Sequence, residues 1–300
     1  MHLRGKKIKN GEYDMEDTIV GFIGFGLIAG SIAHALKESK NSYKIIATSR
    51  RIEPILKAKE DGVVDLACEC LDDNFSKCDY IILCTPVVTI TSYLCRLKNI
   101  IKPGCIVTDV GSVKTIIHKE VSNLGMDSCF IGGHPMAGSE KTGYEYSSSS
   151  ILNNAKYIIT PTAMTTMAQL SRFQEFIKDT TATPLIMDYE THDRTVAGIS
   201  HLPHLISTAL VKVVSENDDP EHHMQCLAAG SFRDMSRVAE SSPEMWEQIC
   251  ISNSTAISKL LDQYIDVLNE IKNNLDNQTP GYVASLFEFS RHYKKDKPKL

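Results

Sequence analysis

No basic surplus runs through this chain of 300 residues, which has 32 lysines and arginines against 37 aspartates and glutamates and a formal net charge of -5. A nucleic-acid partner would ordinarily leave a basic excess or a concentrated basic stripe, so none is expected. No continuous apolar run reaches the length needed to cross a bilayer, and no membrane role is expected. The opening MHLRGKKIKNGEYDMED lacks the apolar core and small-residue cleavage site of a secretory signal, and residues 1–17 read as a flexible segment. Nine cysteines, odd in number and scattered, suit reduced core residues of a cytoplasmic protein better than a disulfide framework. Cys68, Cys70 and Cys78 match no four-ligand zinc spacing, so no metal is expected. What remains, 42% hydrophobic and 23% charged residues, describes a folded globular chain of one large or two medium domains.

In TIVGFIGFGLIAGSIAHALKES a short apolar strand, Thr18 to Ile23, passes through glycines into a helix with apolar residues at helical spacing. Gly24, Gly26 and Ala29 fit the G-x-G-x-x-G/A pattern: the first permits a tight turn, the second close approach of a pyrophosphate, the third close helix–strand contact. Leu27 and Ile28 then open the helix whose free N–H groups would meet the phosphates. The alternative is a purely structural strand–turn–helix. The next strand, YKIIATSRR, should end about 20 residues past the glycines, where NAD-binding chains usually carry an acid for the ribose 2′-hydroxyl. Here stand Ser49, Arg50 and Arg51. An arginine can pair with a 2′-phosphate, so NADP is expected ahead of NAD, unless these are simply solvated surface arginines.

Further apolar runs at YIILCTPV, CIVTDVGS, CFIGGHP and KYIITP read as buried strands of a parallel sheet. Ligands on such sheets bind beyond the strand carboxyl ends, where Thr85-Pro86, Gly111-Ser112 and His134-Pro135 fall. The segment GGHPMAGSEKTG reads as a loop that aims His134. After TPLIMDYETHDRT the strand signals stop, which divides the chain into an α/β part, residues 18–188, and an all-α part, residues 189–300. Helices are expected over Asp193 to Val214, Pro220 to Glu240 and Pro243 to Leu275. In the first, Ser200 and His204 share a face, His201 lies three before His204, and Pro203 should kink the helix. Each histidine alone is more simply a hydrogen-bonded packing residue. Asp234 and Arg237 lie three apart and could form a surface pair, or Arg237 could meet a substrate carboxylate through two parallel hydrogen bonds. The tail RHYKKDKPKL reads as a solvated charge run.

The set GFGLIAGS, TDVGSVK, GGHPMAGSEKTG, SHLPH and GSFRDMSRVAESSPEMW, in this order from about Ile19 to Trp246, resembles the prephenate and arogenate dehydrogenases of tyrosine biosynthesis. That resemblance implies a Rossmann-like parallel-sheet dinucleotide domain followed by an all-helical dimerisation and substrate domain. It also implies oxidative decarboxylation of prephenate to 4-hydroxyphenylpyruvate with hydride transfer to NAD(P)+, or the same chemistry on arogenate. By resemblance His134 is the base that takes the hydroxyl proton and Ser112 orients that hydroxyl or the histidine. Arg237 binds a substrate carboxylate, His204 and Ser200 line the other wall, and Glu140 is an acid near the site mouth. Gly24, Gly26, Leu27, Ile28, Ser49, Arg50, Arg51, Thr85 and Pro86 would face the cofactor. Family members pair as homodimers, and the apolar face Ile257, Leu260, Leu261, Ile265, Leu268 and Ile271 would suit a partner helix or the chain's own core. No chorismate mutase domain is expected before residue 18, nor much room for a regulatory domain after residue 280. Other oxidoreductases that join such a sheet domain to helices leave GGHPMAGSE unexplained, and a silent dinucleotide sensor has no need of a base beside a carboxylate-binding arginine.

Overall fold

The computed structural model describes residues 17–138 and 141–296, with the backbone of residues 8–9 and 12–13. Strands β1 (Ile8–Lys9) and β2 (Glu12–Tyr13) pair antiparallel; the rest of the N-terminal segment expected to be flexible lies outside the described residues. Five short strands, β3 (Thr18–Ile23), β4 (Tyr43–Thr48), β5 (Leu66–Cys68), β6 (Tyr80–Leu83) and β7 (Ile106–Asp109), form a parallel sheet in the order β5-β4-β3-β6-β7. They are rich in β-branched residues because both faces are covered, and Val20, Phe22, Ile45, Ile81, Ile82 and Val107 have no exposed surface. Helices α1 (Leu27–Glu38), α2 (Glu53–Glu60), α3 (Val87–Leu97) and α4 (Thr115–Asn123) connect and cover them, and α5 (Met167–Asp179) adds Phe173 and Phe176 to one of the two buried layers. The chain runs from β3 outward to β4 on one side and to β6 on the other. A crevice therefore opens beyond the carboxyl ends of β3 and β6.

A second sheet holds β8 (Ile131–Pro135), β9 (Lys156–Pro161) and β10 (Thr183–Ile186) in the order β10-β9-β8. Here β9 and β10 run parallel but β8 and β9 run antiparallel. The segments CFIGGHP and KYIITP thus do not extend the parallel sheet as the sequence suggests. A doubly buried strand carries no mark of its direction, and the link between these two contains 3-10 turns at Tyr144–Tyr146 and Ser149–Leu152 rather than a crossover helix. A parallel bridge between Val107 and Phe130 leads β8 alongside β7.

Past β10 the chain is helical. Helix α6 (Tyr189–Val196), a π-helical turn (Ala197–His201) and α7 (Leu202–Asn217) form one continuous run, in which Pro203, where the sequence suggests a kink, falls in the first turn of α7 just after the π turn. Contrary to the sequence reading, this 29-residue run contains an 18-residue window of mean hydropathy 1.2, and by length and composition alone it is long and apolar enough to cross a membrane. Its apolar residues are interrupted by Asp193, Arg194, His201 and His204, so no single stretch announces it. The helix expected over 220–240 is broken into α8 (His223–Cys226), α9 (Gly230–Ser236) and a 3-10 turn (Arg237–Glu240). The one expected over 243–275 is two, α10 (Pro243–Ser252) and α11 (Ser254–Asp276), because the Asn253 side-chain amide turns aside to bond the Asp193 carbonyl at 2.8 Å and His201 Nδ1 at 3.1 Å. Helix α12 (Tyr282–Lys295) takes in the first half of the charged tail, and residues 297–300 lie outside the described residues. The chain divides into two compact units, residues 1–253 and 254–300. The site described below lies wholly in the first.

His118 of α4 is buried against Thr160 of β9, with Nε2 2.8 Å from the hydroxyl, and stacks on Tyr189. Burial pushes its pKa down from 6.5 to about 4. The unfolded chain therefore binds a proton that the folded one refuses, and stability should fall as pH drops from about 6.5 toward 4, by about 1.4 kcal/mol per unit from this histidine. Urea unfolding across that window should show a shallower pH slope in His118→Gln than in the unsubstituted protein. Equal slopes would refute the assignment.

Candidate active site

His134 does not sit in a loop. It lies within β8, opposite Ile158 of β9, and the glycines before it serve close packing rather than a turn. A Cβ on Gly132 would collide with the Thr160 hydroxyl, and one on Gly133 would lie 2.6 Å from the Asp109 carbonyl oxygen. The pair lets β8 lie flush against β7 and β9, which carries His134 to the mouth of the crevice.

The imidazole of His134 is held by residues that nothing in the local sequence singles out. Its Nδ1 lies 2.8 Å from His192 Nε2, and His192 Nδ1 lies 2.7 Å from Asp193 Oδ1. The Asp193 carboxylate also accepts the backbone N–H groups of Lys114 and Thr115, each at 2.8 Å. Burial works to raise the Asp193 pKa, but the hydrogen bonds from His192, Thr115 and Lys114 outweigh it and hold the group charged. A carboxylate can only accept, so His192 must donate from Nδ1. Burial pushes His192 toward its neutral form, against the pull of Asp193, so its Nε2 accepts and His134 in turn donates from Nδ1. His134 lies well below its ordinary pKa, first through burial and then through His192, Lys114 and His201. The product of this chain is one defined tautomer with a lone pair on His134 Nε2. The only signal in the sequence was the dipeptide His192-Asp193, whose partner stands 58 residues away from it.

A cavity of about 400 Å³ joins both parts of the first unit, and Ser112, His134, Ser200, His204 and Arg237 all line it. His204 Nδ1 donates to the Ser200 carbonyl at 2.7 Å, its ring stacks on Trp246 at 3.8 Å between centroids, and burial, with the Arg237 charge, lowers its pKa. His201, which the sequence left beside these two, also lines the cavity; the Asn253 amide donates to its Nδ1, leaving its proton on Nε2. Arg237 is exposed and opens the 3-10 turn after α9; among the described residues it makes no ion pair, so the surface pair with Asp234 is not formed. Its guanidinium is available to an anion in the cavity. Glu140 lies outside the described residues.

At the crevice end of the sheet, Gly24 adopts φ +88°, and a Cβ there would lie 2.6 Å from the Cys84 carbonyl oxygen. The turn is therefore closed to other residues. At Gly26 the space in front of α1 is open to at least 4 Å, no side chain caps the helix, and the N–H groups of its first turn, including those of Leu27 and Ile28, are free for an anion. Beside Gly24 the Thr85 hydroxyl is buried without a hydrogen-bond partner among the described residues, next to Pro86 at the start of α3. Ser49, Arg50 and Arg51 line a second cavity of about 740 Å³ together with Lys57, Glu69 and Tyr144. An open phosphate-sized gap, an uncapped helix and an orphaned hydroxyl fit a dinucleotide.

Comparisons with known proteins agree in both halves. The nucleotide-binding domain of prephenate dehydrogenase matches residues 32–185 as a family model, and the prephenate dehydrogenase dimerization domain matches residues 188–289. A prephenate dehydrogenase of Bacillus subtilis (strain 168) is 31% identical over 286 residues, 95% of this chain and 77% of that one. The crystal structure of prephenate dehydrogenase from A. aeolicus in complex with hydroxyphenyl propionate and NAD+ has a TM-score of 0.87 at 30% identity, covering 95% of this chain and 100% of that one. Synechocystis arogenate dehydrogenase has a TM-score of 0.81 at 32% identity, covering 93% and 99%.

Replacing Asp193 by Asn removes the charge and one acceptor oxygen, so the amide can serve Lys114 and His192 only by turning an N–H against that of Thr115, and the hold on the tautomer of both histidines weakens. Asp193→Asn should lower turnover by about 10²-fold with the fold retained. Full activity in a folded Asp193→Asn protein would show that the chain of imidazoles does not set the base.

Proposed function

The chain belongs to the prephenate dehydrogenase family, and we propose that it oxidises and decarboxylates prephenate to 4-hydroxyphenylpyruvate, with NADP+ preferred as the hydride acceptor. The observation that carries this reading is a neutral, fixed imidazole facing one cavity with a guanidinium that makes no ion pair among the described residues. Prephenate bears a ring hydroxyl opposite a carboxylate on a cyclohexadiene, and it needs a base at one end and a cation for its carboxylates.

His134 Nε2 accepts the hydroxyl proton as that carbon gives up its hydride, and Ser112 orients the hydroxyl. The bond from the ring to its carboxylate then breaks, carbon dioxide leaves, its electron pair passes through the ring to the oxygen, and that oxygen takes back the proton held by His134 as the ring becomes aromatic. Arg237 holds a substrate carboxylate through paired hydrogen bonds, with Ser200 and His204 on the facing wall. Bound at the Gly24 turn, the nicotinamide cofactor supplies the hydride acceptor. The free N–H groups at the start of α1 and the Thr85 hydroxyl would hold its phosphates, and Arg50 and Arg51 favour one that carries a 2′-phosphate. Arogenate, which differs in the side chain away from the reacting carbon, is the second substrate to offer; a solved arogenate dehydrogenase shares this fold at 32% identity. The dimerization-domain match and the exposed Ile265 and Leu268 of α11 support a homodimer, and nine unpaired cysteines suit the reducing cytoplasm.

The test is formation of reduced nicotinamide with prephenate or arogenate beside NAD+ or NADP+. Turnover of prephenate, fastest with NADP+, is expected, and silence in all four combinations from a folded protein would end the reading. His134→Asn should cost about 10²-fold or more in kcat. Arg237→Gln should raise KM by about one to two orders of magnitude through loss of roughly 1.5–3 kcal/mol of charged hydrogen bonding. An unchanged KM would remove Arg237 from the substrate.

A further inference from the structure

Among the described residues Lys114 is the one lysine or arginine that is buried, with no exposed surface at all. Its ammonium forms an ion pair with Asp109, at the end of β7, and donates at 2.7 Å to the carbonyl of Gly133, in β8. Asp109 in turn accepts the N–H groups of Gly111 at 2.8 Å and Gly133 at 3.2 Å. A pair that served stability alone would need nothing more. Yet the backbone N–H of the same lysine donates to Asp193, and through Asp193 and His192 the contacts return to the ring of His134. Gly133, whose carbonyl the ammonium grips, is the residue joined by its peptide bond to His134. The path from Lys114 through Asp193, His192, His134 and Gly133 back to Lys114 is a closed loop.

We propose that Lys114 is a positioning residue for the reaction, gripping His134 from both sides, the main chain through the Gly133 carbonyl and the ring through Asp193 and His192. Ser112 lies between Asp109 and Lys114 in sequence, so the ion pair also spans the turn that brings Ser112 to the cavity. The groups around His134 are His192 and Asp193 from α6, His201 from the π turn, Lys114 from the turn after β7 and Asp109 from the end of that strand. Tyr157 stands beside Gly133 from β9, and Arg237 lies across the cavity. Of these, the ammonium of Lys114 opposes a second positive charge on His134, so the residue that fixes the ring also helps to keep it unprotonated.

This inference rests on His134 being the base, and its test separates the two. Lys114→Met alone strands the Asp109 carboxylate in the interior and should lower Tm. The double variant Asp109→Asn, Lys114→Met removes both charges and should recover much of that loss, because an apolar replacement of a buried pair is often neutral or stabilising. Assayed below its own Tm, the double variant should keep its affinity for the dinucleotide but show kcat lower by about 10²-fold, the cost of a misplaced catalytic group. The acid limb of kcat/KM, and the pKa of His134 followed by NMR in the unliganded protein, should both move upward. Recovery of kcat together with Tm, or a His134 titration that stays put, overturns the proposal. If the unsubstituted protein turns over neither substrate, the reading of the reaction fails instead, and the NMR titration, which needs neither substrate nor dinucleotide, still decides the role of Lys114.

Discussion

A bare ammonium cannot stay in a dry interior, and the first unit is arranged around meeting that demand at Lys114. Its partners come from the end of β7 and from β8, two strands of different sheets, so satisfying the charge fixes how the sheets meet. The glycines at 132 and 133 follow from the same constraint. Only without side chains can β8 come near enough for its carbonyl to reach the lysine and for its N–H to reach Asp109. His134 is then carried by a strand fastened at the residue before it. A loop would leave the ring to wander.

Desolvation does the rest of the electrostatic work. His134, His192, His201 and His204 all have depressed pKa values, and burial is the largest cause in each. Neutral imidazoles have one donor and one acceptor, so a row of them must point the same way, and the end that is chosen decides the direction. Asp193 makes that choice, since it is kept charged by two backbone N–H groups and a histidine. The consequence reaches two residues along the chain, to the lone pair on His134.

The two cavities of this unit are lined by neighbouring stretches of one segment. His134 to Gly138 face the smaller cavity with Arg237, while Tyr144 and Glu145 face the larger one with Arg50 and Arg51. Gly143, at φ +105°, and Gly30, whose Cβ would press into Ser147 and Tyr144, let the segment from Tyr144 to Ser147 lie close against α1. The cavity at the end of the parallel sheet and the cavity at the helical wall are thus lined in turn by one segment that belongs to neither the parallel sheet nor the helices.

The sequence by itself determined what is periodic or local. The alternation of apolar strands and helices, the glycine turn at 24–26 and the shift to helices near residue 189 were all legible. So was the gathering of His134, Ser112, Ser200, His204 and Arg237, which came from motifs in a familiar order. Only the tertiary structure decided what depends on distant contact. The antiparallel run of β8 against β9 was hidden because a strand buried on both faces carries no sign of direction. Asn253 breaks a helix for a carbonyl 60 residues earlier, which no helical period could reveal. Lys114 and Asp193 read in the sequence as ordinary charged residues. Their importance arises from burial, and burial is set by the whole chain folding around them.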